Sequence, residues 1–182
     1  MRSILKKDLK GQVWVETVIY TLIALGLIGA VLAFAKPKIE EMQDKAIIEQ
    51  SLVMLENIDS QILSAVQGGE GNKRIVELNL KKGEIYIETG SNRISYSLTG
   101  GHKYSEIGAE INVGKIKVTT KEEGRDYEVL LILDYGERYD ITFNGVEIDD
   151  PGKILPKAST PYKLSIENKG GVDKINIDIK LV

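Results

Sequence analysis

Few side chains in this sequence are of types that do chemistry, and they are scattered. The 182 residues include no cysteine and a single histidine, His102, which excludes thiol chemistry and a site built from several histidines. Three acidic residues, Glu147, Asp149 and Asp150, offer the oxygen ligands that Ca²⁺ prefers. Their spacing matches no calcium-binding loop, so a solvated turn is the favoured interpretation. The sequence therefore predicts no metal-binding residue.

Motifs for other reactions are missing as well. The chain has no Gly-x-Ser-x-Gly nucleophile elbow, and no glycine-rich phosphate loop leads from a strand into a helix. The net charge of −3 does not provide the basic surface that nucleic-acid-binding proteins carry. We therefore predict that the protein is not an enzyme, has no catalytic or cofactor-binding residue, needs no cofactor and binds no nucleic acid.

One carboxylate, Glu16, is notable because it lies near the start of an apolar segment, residues 12–35. Residues 17–35 carry no charge, and as a helix this run of about 19 residues is roughly 28 Å long, close to the hydrocarbon thickness of a bilayer. The residues before it are mostly basic: Arg2, Lys6, Lys7 and Lys10. Because positive flanks stay in the cytoplasm, we expect a membrane-spanning helix with a cytoplasmic N-terminus and the rest of the chain outside.

Three interpretations of residues 1–35 are open. The stretch Ala33-Phe34-Ala35 fits the cleavage pattern of a secretory signal peptide, although the apolar run exceeds the usual signal core. An uncleaved signal anchor is the second interpretation. In the third, a basic leader is cut after Gly11, so that Gln12 becomes the first residue of the mature chain and Glu16 the fifth.

The third interpretation resembles the class III signal peptide of archaeal and bacterial type IV pilin-like proteins. In that family a basic leader ends in glycine, and a glutamate occupies the fifth mature position of an apolar helix, as Gly11, Gln12 and Glu16 do here. The stretch QVWVETVIYTL also looks like the archaeal Q-x-x-x-E-x-x-x-L form. The resemblance implies processing by a prepilin peptidase between Gly11 and Gln12. It also implies self-assembly, through a pilus assembly machinery, into a helical filament on the cell surface.

A physical reason for Glu16 follows from that cleavage. A carboxylate inside a bilayer costs a few kcal/mol and normally has a partner. Removal of the leader creates a free amine on Gln12, about one helical turn from Glu16. In a helical filament this amine on one subunit can pair with Glu16 of its neighbour and fix their axial register. The alternative is that Glu16 lies harmlessly at the level of the headgroups.

The sequence beyond the apolar segment predicts more helix. Lys36-Pro37-Lys38 marks the membrane exit, where proline is expected to kink or reset the helix. Two apolar stripes follow. A helix that covers one side of a single domain needs only one such stripe, so the second indicates a second packing partner. We expect the outer stripe to pack on other helices and the head stripe to pack on the chain's own β domain. The outer stripe is Ile39, Met42, Ala46 and Val53, and the head stripe, on a roughly opposite face, is Ile48, Leu52, Leu55, Ile62 and Val66.

Residues 68–182 have the pattern of an all-β domain. The stretch Gly68-Gly69-Glu70-Gly71-Asn72 ends the helical pattern, and from Arg74 onward apolar and polar residues alternate. About eight or nine short strands separated by turn residues predict a sandwich-like head. Asn144-Gly145 predicts a hairpin that continues through Val146 and Ile148. The last two strands are expected at 162–167 and 174–182.

The sequence thus predicts an α+β protein in three parts: a basic leader (1–11), a transmembrane plus amphipathic helix (12–67) and an extracellular β-sandwich head (68–182). The favoured function is a pilin, the structural subunit of an extracellular filament that serves adhesion or cell contact. The alternative is a signal-anchored, monomeric cell-surface binding protein that keeps its leader. We also expect residues 74–182 to fold on their own, but less stably than a fragment that begins at Ile48.

Overall fold

A computed structural model describes residues 9–148 and 150–182 of the chain, with side chains from residue 13 onward. It confirms the α+β architecture, in which one long N-terminal helix precedes a head with two β-sheets. The chain divides into two compact units, one ending at Glu40 and the other comprising Glu41–Val182. The elements are α1 (Leu9–Gln67), β1 (Lys73–Leu78), β2 (Glu84–Glu88), β3 (Arg93–Gly100), β4 (Glu110–Val113), β5 (Ile116–Glu123), β6 (Asp126–Asp134), β7 (Tyr139–Phe143), β8 (Lys153–Pro156), β9 (Tyr162–Asn168) and β10 (Ile175–Leu181).

Helix α1 continues through Pro37, where the sequence analysis expected a kink or a reset. A proline inside a helix removes one backbone hydrogen bond, but the residues on both sides are strong helix formers and the helical segment is not interrupted. The helix ends at Gln67, as the glycine-rich break predicts. Gly69 there adopts a positive φ of 82°, and its N–H donates to the Val66 carbonyl at 3.1 Å.

The head consists of two sheets. Sheet 1 has the strand order β1-β9-β10-β7, and sheet 2 has the order β4-β5-β6-β3-β2-β8. All neighbouring strands are antiparallel except β7 and β10, which run parallel. Strand β6 lies between β5 and β3 in sheet 2.

The head stripe of α1 is confirmed as part of the core of the head. Ile48, Leu52, Leu55 and Ile62 are at most 7% exposed and belong to one hydrophobic cluster with side chains of both sheets, whereas Val66 is only partly buried. Besides Leu52, the buried helical positions recur at alternating spacings of four and three residues, which keeps them on one face of a helix. These positions are Asp44, Ile48, Ser51, Leu55, Ile58, Ile62 and Ala65.

The outer stripe is exposed on the single chain. Met42 and Val53 expose 72% and 65% of their surface, and Ile39 exposes 53%. The division of the helix into two faces is therefore confirmed, and the packing of the outer stripe on other helices stays a prediction.

The hairpin predicted at Asn144-Gly145 is confirmed for its turn, but the prediction of a second strand through Val146 and Ile148 is wrong. Both residues adopt positive φ values, 55° and 77°, and the Phe143 N–H donates to the Val146 carbonyl at 2.9 Å. No strand follows, because the Ile148 N–H donates to the Thr89 hydroxyl at 2.6 Å and directs the chain to sheet 2. There β8, which the sequence does not predict, pairs with β2, and the described part of the head has ten strands where about eight or nine were expected.

Candidate functional site

Residues 13–34 of the apolar segment are all exposed. Among the described residues, α1 is the one helix that is long and apolar enough to cross a membrane, and none of its most apolar window is buried within the chain. Trp14, Leu27 and Phe34 expose 69%, 64% and 77% of their surface. A contiguous apolar surface of this size is typical of contact with a membrane or with another protein. The segment is therefore consistent with membrane anchoring.

The predicted cleavage site lies at the edge of the described chain. Gly11 and Gln12 belong to the backbone of α1, which starts at Leu9, but their side chains lie outside the described residues. The leader up to residue 8 also lies outside them. Processing between Gly11 and Gln12 thus stays a prediction.

Glu16 is placed on the exposed surface of the helix. It is the only charged residue between residues 12 and 35. Within the described chain its carboxylate has neither a hydrogen bond nor an ion pair. An unpaired carboxylate is costly in an apolar environment, so Glu16 needs either a partner beyond the described residues or a position at the level of the headgroups.

The two threonines of the segment differ from Glu16, because the helix itself satisfies them. The Thr17 hydroxyl donates to the Val13 carbonyl at 2.9 Å, and the Thr21 hydroxyl donates to the Thr17 carbonyl at 2.8 Å. Hydroxyl groups bonded in this way need no partner on a neighbouring helix.

The structure does not bring the other chemically capable residues together. The rings of His102 and Tyr104 meet edge to face, with centroids 6.5 Å apart. Glu147 and Asp150 are exposed, and Asp149 lies outside the described residues. Within residues 9–148 and 150–182, no group of three or more potential metal ligands is found.

Two carboxylates of α1 that the sequence analysis did not single out connect the helix to the head. Asp44, 5% exposed, accepts hydrogen bonds from Lys82 Nζ at 2.5 Å and from the Gly101 N–H at 2.9 Å. Farther along the helix, Asp59 Oδ2 accepts from Lys115 Nζ at 2.8 Å. These contacts suit a structural role, because each carboxylate is satisfied by the chain's own groups.

A third contact of the helix is the Tyr135 hydroxyl, which donates to Asp59 Oδ1 at 3.1 Å. Burial, and then the Asp59 carboxylate, raise the pKa of Tyr135 above its usual value of 10.0. The fold therefore favours the neutral phenol. The stability that the fold gains from the raised pKa of Tyr135 is fully present below a pH of about 10. It is lost as the pH rises from there toward the folded-state pKa.

Replacing Tyr135→Phe is expected to flatten the alkaline loss of stability. At neutral pH the variant loses about 1 kcal/mol with the hydrogen bond to Asp59. Between pH values of about 9 and 11 its free energy of unfolding should then fall less steeply, because no phenol remains to ionise. Urea unfolding of residues 41–182 across this range measures both effects.

Asp59→Asn is the informative companion variant. It removes the charge beside Tyr135 but leaves the ring buried, and burial is the larger cause of the raised pKa. This variant should therefore keep most of the pH dependence. If the free energy of unfolding fell equally steeply with pH for Tyr135→Phe and the unaltered protein, Tyr135 would not be the group that causes the alkaline loss of stability.

Comparison with known proteins identifies no relative of this chain. No family model, no curated protein and no solved structure matches this chain. The features that bear on function are therefore the residues of the apolar segment and the exposed face of α1 that carries Met42 and Val53.

Proposed function

We propose that the chain is a pilin-like structural subunit of an extracellular filament. The precursor is held in the membrane by residues 17–35, with its N-terminus in the cytoplasm. A prepilin peptidase removes residues 1–11, and the assembly machinery adds the mature chain, which begins at Gln12, to the filament. The helix forms the filament core, and the β-sandwich head forms the surface that serves adhesion or cell contact.

The observation that carries this proposal is the position of Glu16. A membrane anchor needs no carboxylate, and this one has no partner in the described chain. A free amine on Gln12 of a neighbouring subunit supplies the opposite charge at the corresponding depth. Such a pair exists only after cleavage at Gly11, and in the proposed filament it forms between copies of the chain, which links processing to assembly.

The exposed outer stripe supports the same proposal. Met42 and Val53 lie beyond the apolar segment, in the unit that contains the head. Each exposes more than half of its surface. A helix that stood alone in water would gain nothing from apolar residues there. A helix packed among copies of itself would bury them.

Glu16→Ala is expected to leave membrane insertion intact and to lower filament yield at least about tenfold, because the neighbour's amine then remains buried without a partner. Immunoblots of the membrane fraction and of the sheared filament fraction give both quantities. Glu49→Ala is the matched control, because Glu49 is exposed on the same helix and pairs only with Lys45, at 3.9 Å. Normal filament yield from Glu16→Ala would refute the role of this carboxylate.

N-terminal sequencing of the mature protein separates this function from the alternatives. A chain that begins at Gln12 supports a filament subunit. One that begins at Met1 supports a signal-anchored binding protein, and one that begins at Lys36 supports an exported soluble protein. Either of the last two results would overturn the proposal.

A further inference from the structure

A second polar group in the apolar segment, the hydroxyl of Tyr20, also has no partner. Tyr20 is 69% exposed, and its hydroxyl makes no hydrogen bond within the described chain. A phenol that enters an apolar environment normally keeps a hydrogen-bond partner, because an unpaired hydroxyl costs free energy there. The same requirement that applies to Glu16 therefore applies to Tyr20.

The two groups share one face of the helix. Tyr20 follows Glu16 by four residues, which places it about 6 Å farther along the axis and about 40° around it. Trp14, the other aromatic residue with a polar atom, lies about 160° around the helix from Glu16. It also lies near the end of the segment, where the headgroups accept such rings. The interior of the segment thus presents one unsatisfied acceptor and one unsatisfied donor, side by side.

We propose that in the filament the Tyr20 hydroxyl donates a hydrogen bond to the Glu16 carboxylate of a second copy of this chain. This inference rests on the proposed function. Tyr20 is then a positioning residue that acts through Glu16. The donor and the acceptor complement each other, and within a single described helix they do not bond although they are neighbours.

The carboxylate has room for both of its partners. An ionised carboxylate has two oxygens with about four acceptor positions, so the Gln12 amine and the phenol can bind it together. A hydrogen bond from a hydroxyl to a carboxylate is shorter and stronger than one between neutral groups. The two donors approach from different depths. The amine therefore fixes the axial register, and the phenol fixes the rotation of the helix about its axis.

Tyr20→Phe removes only the hydroxyl and tests this role. We expect filament yield to fall about tenfold, the effect of losing one charge-assisted hydrogen bond per interface. Thr17→Val is the matched control, because it removes a hydroxyl three residues away that already donates to the Val13 carbonyl at 2.9 Å, and it should assemble normally. The double variant Glu16→Ala/Tyr20→Phe should assemble no worse than Glu16→Ala, and additive losses would overturn the coupling.

Co-expression of two variants shows whether the bond joins two copies. Chains with Tyr20→Phe still offer Glu16, and chains with Glu16→Ala still offer Tyr20, so mixed filaments regain intact pairs only if the contact is between copies. We expect the mixture to assemble better than the mean of the two variants alone, because half of its chains still lack the carboxylate that pairs with the amine. A mixture no better than that mean would overturn the inference.

Cysteine cross-linking in filaments gives a readout that a merely structural role for Tyr20 would not change. The chain has no cysteine of its own, so there is no background reaction. Small amounts of Glu16→Cys and Tyr20→Cys chains, mixed into unaltered filaments, should form a cross-linked dimer more readily than Glu16→Cys with Thr21→Cys. Thr21 is turned by about 100° from Tyr20. Equal cross-linking of the two pairs would overturn the contact.

The failure of this inference differs from the failure of the proposed function. Filaments that begin at Gln12 and form equally well with Tyr20→Phe overturn the role of Tyr20 and leave the pilin function intact. An unaltered chain that is never cleaved after Gly11 and forms no filament overturns both.

Discussion

A head that lacks residues 41–67 is expected to lose its cooperative unfolding transition. Five large side chains of α1 lie in the core at 7% exposure or less: Ile48, Leu52, Leu55, Ile58 and Ile62. At about 1.5–3 kcal/mol for each fully buried side chain, they contribute on the order of 10 kcal/mol before the entropy of ordering the helix is subtracted. That is comparable with the net stability of a whole domain, about 5–15 kcal/mol.

Thermal melts of fragments 41–182 and 68–182, followed by circular dichroism, measure this effect. The longer fragment should melt in one sharp transition, and the shorter one should show a broad transition or none. The structure thereby changes the expectation from sequence, in which residues 74–182 fold on their own and the helix only adds stability. Similar melting temperatures for the two fragments would show that the sheets cover their inner faces without the helix.

Point variants on the same helix provide a matched comparison. Leu55 is fully buried, and Leu55→Ala should cost about 2–5 kcal/mol because it leaves a cavity in the core. Val53 is 65% exposed, and Val53→Ala should change stability by no more than about 0.5 kcal/mol. Chemical denaturation of fragment 41–182 gives both values. Equal losses would mean that the two faces of the helix are not distinct.

The second large effect concerns processing, where Gly11→Val is expected to stop removal of the leader. A pilin-type peptidase reads the residue before the cut, and valine replaces the small residue there. The uncut chain keeps four basic residues that are too costly to bring into an apolar filament core. Mass spectrometry of the membrane-bound protein should show the full-length chain, and filaments should fall to background.

Gly101→Val is the control for this change. Gly101 is exposed in the head, and a Cβ added there would lie within 4 Å of no atom beyond its two chain neighbours. This variant should be cleaved and assembled normally. A mature N-terminus at Gln12 in the Gly11→Val protein would contradict the predicted cleavage rule.

The periodic parts of the fold could be predicted from the sequence because periodicity reports which face of an element is buried. The head stripe of α1 was found by spacing alone, and burial of Leu55 and Ile62 confirms it. The strands β9 and β10 were also predicted close to their observed bounds. Strand β8 was missed, because its four residues end in Pro156 and are too few for alternation to show.

Contacts between distant residues could not be predicted. Asp59 bonds to Lys115 and Tyr135, which are 56 and 76 positions away, and no local pattern marks those partners. The turn at Asn144-Gly145 was recognised from its residue types, but a turn does not decide which strand follows it. At the candidate site, residue type and position single out Glu16, whereas the partner that we propose for it lies on another molecule and leaves no trace in one sequence.

The strand order of sheet 1 determines when that sheet can form during synthesis of the chain. Strand β7 has a single neighbour in its sheet, β10, and the two are joined in parallel register from Ile175 opposite Tyr139 to Ile179 opposite Phe143. During synthesis, β7 emerges more than thirty residues before that neighbour exists. Until residues 175–181 have left the ribosome, Ile141 and Phe143 have no strand beside them, and sheet 1 stays open at that side. Sheet 1 of a nascent head therefore cannot close early, which would keep the head unfolded during the membrane crossing that the proposed function requires.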